Sequence, residues 1–141
     1  MKAVNRGIDE SLFNEIVEKT FPSPYHLLLG FELIEIERGK AVVRMDAGNE
    51  LLNAMKIVHG GATASLCDTA MGFAARSLGA VPTTVEMKVN YLAPGLPGEK
   101  LTAVGKVIKE GKNLIVTEGE IFDKRGKLIV KSSGTYFDLR N

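Results

Sequence analysis

Residues 53–70 read NAMKIVHGGATASLCDTA. In this stretch, His59 stands directly before two glycines, at the start of a helix that the sequence predicts from about Val58 to Leu78. Nine of the residues from Gly60 to Ala75 on this long helix are glycine, alanine or serine (Gly60, Gly61, Ala62, Ala64, Ser65, Ala70, Gly72, Ala74 and Ala75), so another layer of the protein can approach its backbone closely. The rest of the chain must therefore supply a surface that covers one long, slender helix.

That surface is predicted to be a β-sheet. The segment FELIEIERGKAVVRMDA, residues 31–47, predicts a hairpin that turns at Arg38-Gly39. After the helix, alternation places Val85, Met87, Val89 and Tyr91 on one side of a strand and Thr84, Glu86, Lys88 and Asn90 on the other. Further strands are predicted over residues 100–109, 114–123 and 128–139. Consecutive strands with tight turns indicate an antiparallel sheet, so the fold class is α+β.

Length predicts one domain spanning residues 1–141, with residues 1–29 as an N-terminal helical segment. Asp9 or Ser11 is placed to cap a first amphipathic helix that ends before Pro22. The following SPYHLLLG reads as a short helical turn closed by Gly30. One covering helix leaves part of a large sheet bare, so at least a dimer is expected.

The amino-acid composition indicates which classes of partner and which cellular compartment to expect. Eighteen Lys and Arg against 17 Asp and Glu give no electrostatic reason to expect nucleic acid or a membrane surface. A single cysteine excludes an internal disulfide and fits a reducing compartment. The N-terminus is charged throughout, unlike a signal peptide, and no apolar run approaches the roughly 20 residues of a membrane-spanning helix. We therefore expect a soluble, cytoplasmic protein.

Asp68 is an unusual residue for the apolar part of a helix. Its helical neighbours at three, four and seven residues carry no positive charge. A buried carboxylate without a partner is costly and is kept mainly for a use. The alternative is that Asp68 faces water or a subunit interface, and periodicity alone leaves both interpretations open.

The start of the helix offers a second candidate site. Its first N–H groups have no helical acceptor, and glycines let a substrate oxygen come close to them, which suits a polarised carbonyl. An ordinary helix cap that packs closely is the alternative. Asp68 lies nine residues beyond His59, or about 13 Å along the axis, so the two cannot bond directly. In a two-fold dimer, however, the acid of one chain could face the helix start of the other.

Other hydrolytic or metal chemistries fit poorly. Cys67 and His59 are eight residues apart on one helix, and nothing near the cysteine would lower its pKa. Ser65 cannot form a triad with residues of its own helix. His26 and His59 with one cysteine do not make a zinc site, so no metal is predicted and His26 is interpreted as structural.

Three segments together resemble a hotdog-fold acyl-coenzyme A thioesterase: NAMKIVHGGATASLCDTAMGFA, TTVEMKVNYLAPG and EGKNLIVTEGEIFDKRGKLIVKSSGTYF. The resemblance runs from about Gly30 to Phe137 and is nearest to the phenylacetate-degradation and mammalian thioesterase superfamily member group. Its most specific parts are a His-Gly-Gly, an acid nine residues later and an Asn six residues earlier, present as His59, Asp68 and Asn53. In the related menaquinone and 4-hydroxybenzoyl groups the acid is usually Glu, so the aspartate favours the former group.

The resemblance implies a sheet wrapped around one long central helix, pairing into a dimer with a continuous sheet and often into a tetramer. It implies hydrolysis of acyl-CoA thioesters to free acid and coenzyme A. Asp68 would be the general base that activates water, or the nucleophile that forms an anhydride, and both roles stay open. Thr84 aligns with a family residue that helps to place the water, with Thr83 as the fallback.

The same resemblance assigns the helix start. The Gly60 N–H would hold the thioester carbonyl oxygen, with Gly61 keeping the approach open. Asn53 would act across the dimer to orient the water or the carboxylate. His59 would orient the loop and the helix start without moving a proton.

Coenzyme A contacts are assigned more loosely, to Glu86, Tyr91, Lys109 and Lys112. The two lysines flank the Glu110-Gly111 turn and suit phosphates by charge, although a solvated hairpin end would also carry lysines. The chain departs from the family at Met55-Lys56, where a glycine often sits, and this puts the shape of the acyl pocket in question.

Two other functions remain as alternatives. A hotdog hydratase or dehydratase would place its acid/base histidine elsewhere, with a different acid spacing. A non-catalytic acyl-CoA-binding module would have little use for Asp68. The favoured enzyme needs neither a metal nor a redox cofactor, and coenzyme A enters only as part of the substrate.

Overall fold

The computed structural model describes residues 2–140, so the two end residues of the predicted domain, Met1 and Asn141, lie outside the described residues. The elements, in chain order, are β1 (Val4–Asn5), α1 (Glu10–Glu15) with a π-helical continuation (Ile16–Thr20), α2 (Pro24–Leu29), β2 (Glu32–Glu37), β3 (Lys40–Asp46), a 3-10 turn (Asn49–Leu51), α3 (Gly60–Arg76), β4 (Pro82–Tyr91), β5 (Lys100–Glu110), β6 (Leu114–Phe122) and β7 (Leu128–Asp138). No helix among these residues is long and apolar enough to cross a membrane.

The strands form one seven-stranded sheet in the order β1-β2-β3-β5-β6-β7-β4. The predicted hairpin and the later strands are confirmed, and the pairs among β2 to β7 are antiparallel. The strand β1 was not predicted, because two residues are too few to show an alternating pattern. It pairs in parallel with β2. The strand that directly follows α3 crosses to the far edge, so β4 pairs only with β7.

The central helix is confirmed within two residues at each end. α3 lies across the sheet and buries its apolar side against it, with Leu66, Met71, Ile115, Ile121 and Ile129 among the fully buried side chains. The sheet contributes to the close approach as much as the helix does. A Cβ on Gly105 of β5 would overlap the Ala70 carbonyl, and one on Gly119 of β6 would lie 3.1 Å from Met71 Cγ. Glycines on both layers therefore set the distance between α3 and the sheet.

The N-terminal helices follow their predicted caps. Asp9 accepts from the Leu12 N–H at the start of α1, and Gly30 adopts φ 71° at the end of α2. Phe21, between these helices, places its ring 5.0 Å from His26 and 5.1 Å from Phe73 of α3. The segment thus packs on the C-terminal half of α3 and forms a wall beside Asp68.

One prediction about β4 is wrong. The pairing register between β4 and β7 shifts between Thr84 and Glu86, which marks a β-bulge at Val85. Thr84 pairs with the buried Tyr136 and faces α3, on the same side as Met87, although simple alternation placed it on the opposite side. An extra residue in one strand reverses the face of the sheet on which the preceding side chains lie, and an alternating sequence pattern does not reveal this.

Candidate active site

His59 is the N-cap of α3. Its Nδ1 accepts the Gly61 N–H at 2.7 Å, and its carbonyl accepts the N–H groups of Ala62 and Thr63 at 2.9 and 3.3 Å. The Gly60 N–H is the one donor of this first turn that has no acceptor within residues 2–140. Because the helix dipole adds partial positive charge here, this N–H is suited to bind a carbonyl oxygen that gains negative charge.

A cavity of about 400 Å³ opens beside the helix start, and Asn53, Gly60 and Tyr91 line it. The Tyr91 hydroxyl donates to the Gly60 carbonyl at 3.0 Å, and its ring would lie 3.2 Å from a Cβ at Gly60. Any side chain at Gly60 would therefore push against this ring. The absence of a side chain keeps both the tyrosine and the N–H in place.

The side chain of Asn53 hydrogen-bonds to the backbone of the loop that precedes His59. Asn53 Oδ1 accepts the N–H groups of Met55 at 2.9 Å and Ile57 at 3.3 Å, which leaves the amide nitrogen as the donor available to the cavity. Lys56 has φ 61°, the only positive value at a non-glycine position among residues 2–140. The position where the family often has glycine thus keeps the left-handed backbone, but with a lysine in it.

Asp68 lies half-buried in the middle of α3, with two hydroxyl partners. Thr84 Oγ1 donates to Asp68 Oδ1 at 2.8 Å, and the Tyr136 hydroxyl donates to the same oxygen at 2.7 Å. The other oxygen, Oδ2, has no hydrogen-bond partner among the described residues. The sequence left open whether Asp68 is buried or faces outward. The structure places it at the wall of a cavity with one oxygen fixed and the other free.

That cavity has a volume of about 230 Å³. Gly72 and Phe73 of α3, His26 of α2 and Thr84 of β4 are among its lining residues. Arg76 also lines this cavity and makes that part of it polar. Its Nη2 pairs with Glu15 Oε1 at 2.6 Å, and its Nη1 donates to the Ala80 carbonyl at 3.2 Å.

The two candidate centres lie apart within one chain. The helix start and Asp68 line separate cavities with no lining residue in common. Eight residues separate Gly60 from Asp68, or about 12 Å of helix rise. A single chain therefore places Asp68 and the Gly60 N–H apart, at the separation that the sequence predicted.

Residues 55–130 match the thioesterase superfamily, and this range includes both the His-Gly-Gly and Asp68. The chain belongs to that superfamily. It is 34% identical over 106 residues to the acyl-coenzyme A thioesterase PaaI of Escherichia coli K12, covering 75% of this chain and 76% of that one. Human acyl-coenzyme A thioesterase 13 is 32% identical over 133 residues, with 92% and 95% coverage.

Solved structures of thioesterases have the same fold. The E. coli PaaI protein, from the phenylacetic acid degradation operon, superposes with a TM-score of 0.88 over 94% of this chain and 96% of that chain, at 27% identity. A hypothetical thioesterase protein from Streptococcus pneumoniae TIGR4, solved with coenzyme A, gives a TM-score of 0.74 at 30% identity, over 77% and 84% of the two chains. The predicted hotdog fold is thereby confirmed.

The residues assigned to coenzyme A lie in three places on this thioesterase. Gly61 and Tyr91 lie at the helix start. Glu86 and Lys109 are on the outer face of the sheet, away from α3, and Glu86 accepts a hydrogen bond from Thr135 Oγ1 at 2.7 Å. Lys112 is exposed in the turn between β5 and β6. One chain does not gather these five residues around a single cavity.

The cysteine of this thioesterase is buried within α3. Cys67 is fully buried, and burial raises the pKa of its thiol to about 11, so the thiol stays protonated near neutral pH. His26 Nδ1 lies 2.6 Å from the Phe21 carbonyl within the aromatic cluster, which confirms a structural contact. No group of three or more metal-ligating side chains occurs within residues 2–140.

Sequence reasoning missed Tyr136. Its segment carries the family resemblance, yet it lies 68 residues beyond Asp68 and outside the 55–130 match. A lone tyrosine in an alternating strand is typical of the core, so nothing in the sequence connects it to the acid.

Proposed function

We propose that this chain hydrolyses acyl-CoA thioesters, releasing a free acid and coenzyme A. The observation that carries the proposal is the Asp68 carboxylate, which has one oxygen fixed and one free at the wall of a cavity. Membership of the thioesterase superfamily and the coenzyme A in the S. pneumoniae relative support the substrate class. A purely binding module would gain little from a negative charge placed next to a neutral thioester.

In the proposed reaction the Gly60 N–H binds the thioester carbonyl oxygen. As a general base, Asp68 takes a proton from water through Oδ2 while the water oxygen bonds to the carbonyl carbon. The tetrahedral intermediate then collapses, the C–S bond breaks, and the coenzyme A thiolate takes up a proton. As a nucleophile, Oδ2 itself bonds to the carbon and expels the thiolate, and water then opens the resulting anhydride.

Isotope labelling separates these two routes. In a single turnover in H₂¹⁸O, the direct attack of water puts ¹⁸O only into the released acid. Through an anhydride, water attack on the Asp68 carbonyl would leave ¹⁸O in the protein, detectable by mass spectrometry of the peptide that contains Asp68. Since Oδ2 is free for either step, the geometry alone is compatible with both.

The two centres are joined in a dimer. With about 12 Å between Gly60 and Asp68 in one chain, we propose that the helix start of each subunit faces the partner's Asp68, with Asn53 and His59 on the side of the helix start. β4 supplies the edge for this pairing, because it has only one neighbouring strand and exposes Val85 by 56%. We expect a continuous sheet across the dimer, a homotetramer of two such dimers, and a cytoplasmic location.

The coenzyme A contacts follow from the same dimer. Gly61 and Tyr91 border the cavity at the helix start, and the phosphates would reach Lys109, Lys112 and Glu86 on a neighbouring subunit. Thr84 would position the water through its hydroxyl on Asp68.

The deciding experiment measures thiol release from short, medium, long and aromatic acyl-CoAs by the wild-type protein and by Asp68→Asn. The substitution keeps the side-chain volume but removes the base, so we expect kcat to fall by about a hundredfold or more on the preferred substrate. Asp46→Asn, which removes the charge of an exposed carboxylate that pairs with Lys100 on the neighbouring strand, is the matched control and should keep wild-type activity. If neither wild type nor mutant releases thiol while both bind acyl-CoA, the protein is a binding module and the proposal is wrong.

A further inference from the structure

We propose that Tyr136 is a positioning residue for this hydrolysis. Its hydroxyl, together with that of Thr84, holds Oδ1 of Asp68 and so makes Oδ2 the reacting oxygen. The inference rests on the proposed role of Asp68, and it adds a residue on β7, near the C-terminus, to a site otherwise built from α3 and β4.

The contacts around Oδ1 leave the carboxylate little freedom. Each carboxylate oxygen accepts about two hydrogen bonds, and Oδ1 has two, from Thr84 at 2.8 Å and Tyr136 at 2.7 Å. The same tyrosine hydroxyl lies 3.0 Å from the Asp68 backbone carbonyl. It therefore ties the side chain of Asp68 to its own backbone, which fixes the plane in which Oδ2 projects.

Tyr136 is placed rigidly enough to do this. It lies on β7, paired with Thr84 of β4 on one side and with Ile115 of β6 on the other, and is 2% exposed. Burial, and secondarily the negative charge of Asp68, raise the pKa of Tyr136 far above its ordinary value. The hydroxyl thus stays protonated near neutral pH and can donate to the Asp68 carboxylate.

Neighbouring buried hydroxyls show what a purely structural role looks like. Thr117 Oγ1 donates to the Gly134 carbonyl at 2.9 Å, and Ser132 Oγ donates to the Gly119 carbonyl at 3.2 Å. Both satisfy a buried hydroxyl with a backbone carbonyl. Tyr136 has a carbonyl within reach too, yet its shorter contact is to the carboxylate, at a length typical of a charge-assisted bond.

The proton balance follows from this geometry. In either route of the proposed reaction, the new bond, to a water proton or to the thioester carbon, forms at Oδ2. Tyr136 keeps its proton throughout and Oδ1 keeps both hydrogen bonds. Removing the tyrosine hydroxyl leaves Oδ1 with the hydrogen bond from Thr84 alone, so the carboxylate is held less firmly and turnover suffers more than binding.

The test compares Tyr136→Phe with Thr117→Val and Asp68→Asn, using the acyl-CoA that the substrate panel selects. Tyr136→Phe keeps the ring and removes one hydroxyl that donates to a charged group, so kcat should fall about 10- to 100-fold, with KM within about twofold of wild type. Thr117→Val removes a buried hydroxyl that touches only a carbonyl, and its kcat should stay at the wild-type value. Thermal unfolding of each variant reports any loss of fold.

A pH–rate profile supplies the readout that a merely structural role would not change. The ionisable groups around this cavity are Asp68, Arg76 and the buried Cys67 from α3, His26 from α2 and Tyr136 from β7. Only Asp68 loses a hydrogen-bond donor in Tyr136→Phe, so the acid limb of kcat should move to higher pH. In Thr117→Val it should not move.

The outcomes separate the inference from the proposal it rests on. If Asp68→Asn is inactive while Tyr136→Phe keeps its kcat and acid limb, Tyr136 has no positioning role and the proposed function stands. If Tyr136→Phe and Thr117→Val lose equal activity with unmoved acid limbs, the tyrosine is structural and the inference is overturned. If Asp68→Asn retains wild-type turnover, the proposed role of Asp68 fails, and the inference fails with it.

Discussion

At the start of α3 the decisive contacts join residues close in sequence, whereas at Asp68 they join residues far apart. His59 bonds Gly61 two residues on, and Asn53 bonds N–H groups two and four residues on. The partners of Asp68 are 16 and 68 residues away, on two strands of the sheet. The helix start also has long-range contacts, from Tyr91 to the Gly60 carbonyl and from the Val58 N–H to the Gly95 carbonyl.

This difference affects how well the two halves of the candidate site, the start of α3 and the surroundings of Asp68, tolerate a disturbance elsewhere in the fold. A helix start built mainly from a local loop should keep its shape better when the sheet is disturbed, since most of its hydrogen bonds form within one short segment. The acid half depends on the register of β4 and β7, and a one-residue slip would carry Thr84 and Tyr136 away from Asp68. The predictions below disturb one half and ask whether the other is unaffected.

The largest effect is expected from Gly60→Pro compared with Gly60→Ala. Proline removes the N–H and is tolerated at the first helical position, and the φ of −60° and ψ of 135° at His59 suit a residue before proline. Losing one oxyanion donor should lower kcat about 100- to 1,000-fold. Alanine keeps the N–H and adds the same Cβ against Tyr91, so a much smaller loss there isolates the N–H. Equal losses in both variants would assign the effect to crowding of the tyrosine.

Mixing two inactive proteins tests whether the halves come from different chains. If the site is shared, a dimer of one Gly60→Pro and one Asp68→Asn chain carries both defects in one site and none in the other. Random mixing of subunits should therefore restore roughly a quarter of wild-type activity. Thiol release is measured after co-refolding, with each mutant refolded alone as control. No recovery despite confirmed subunit exchange would place the whole site within one chain.

Acid stability should reveal how β4 is anchored beside Asp68. Asp138 accepts the Val81 N–H where β4 begins, and its bonds with Arg140 lower the pKa of Asp138 from 3.8 to about 2. A lowered carboxyl pKa stabilises the fold fully above about pH 4, and this stabilisation is lost as pH falls toward 2. The Tm of the wild type should fall more steeply across that window than that of Asp138→Asn. Parallel curves from thermal unfolding would contradict this anchor.

The smallest effect is expected at Lys56, in the loop of the helix start. Lysine at φ 61° carries a backbone strain of about 1 kcal/mol that glycine avoids, and glycine's greater unfolded-state freedom partly offsets the gain. Lys56→Gly should therefore change the free energy of unfolding by less than about 1 kcal/mol and leave kcat unchanged. Lys124→Gly, at the exposed turn between β6 and β7, is the comparison for the loss of a lysine outside the site. A large fall in kcat for Lys56→Gly alone would mean that the side chain itself acts in the site.

The helix, the hairpins and most caps could be predicted because their signals are local. Asp9, His59 and Gly30 each act on residues within four positions of themselves, which a sequence window contains. The start of α3 at His59 and its glycines was predicted from the same kind of local signal, whereas Asn53 was assigned by the family resemblance.

The parts that the sequence could not supply depend on tertiary register. The bulge at Val85 turns Thr84 toward Asp68, and no alternation pattern contains that extra residue. Tyr136 reaches the acid from β7, and Thr84 joins it there because β4 crosses to lie beside β7. From the sequence alone, Gly105 is only a residue that disfavours a strand. The structure shows that it leaves room for the Ala70 carbonyl of α3. Family resemblance selected Thr84 correctly as a neighbour of the acid, but it carried no assignment for the tyrosine.

The hydroxyl contacts of α3 also have a spectroscopic consequence. The chain has three tyrosines and no tryptophan, and all three hydroxyls reach this one helix: Tyr25 at Ser65, Tyr91 at Gly60 and Tyr136 at Asp68. Ultraviolet emission from the folded protein therefore originates entirely at the surface of α3. Single replacements by phenylalanine would assign the signal position by position, so that an unlabelled protein reports separately on its oxyanion end and its acid end.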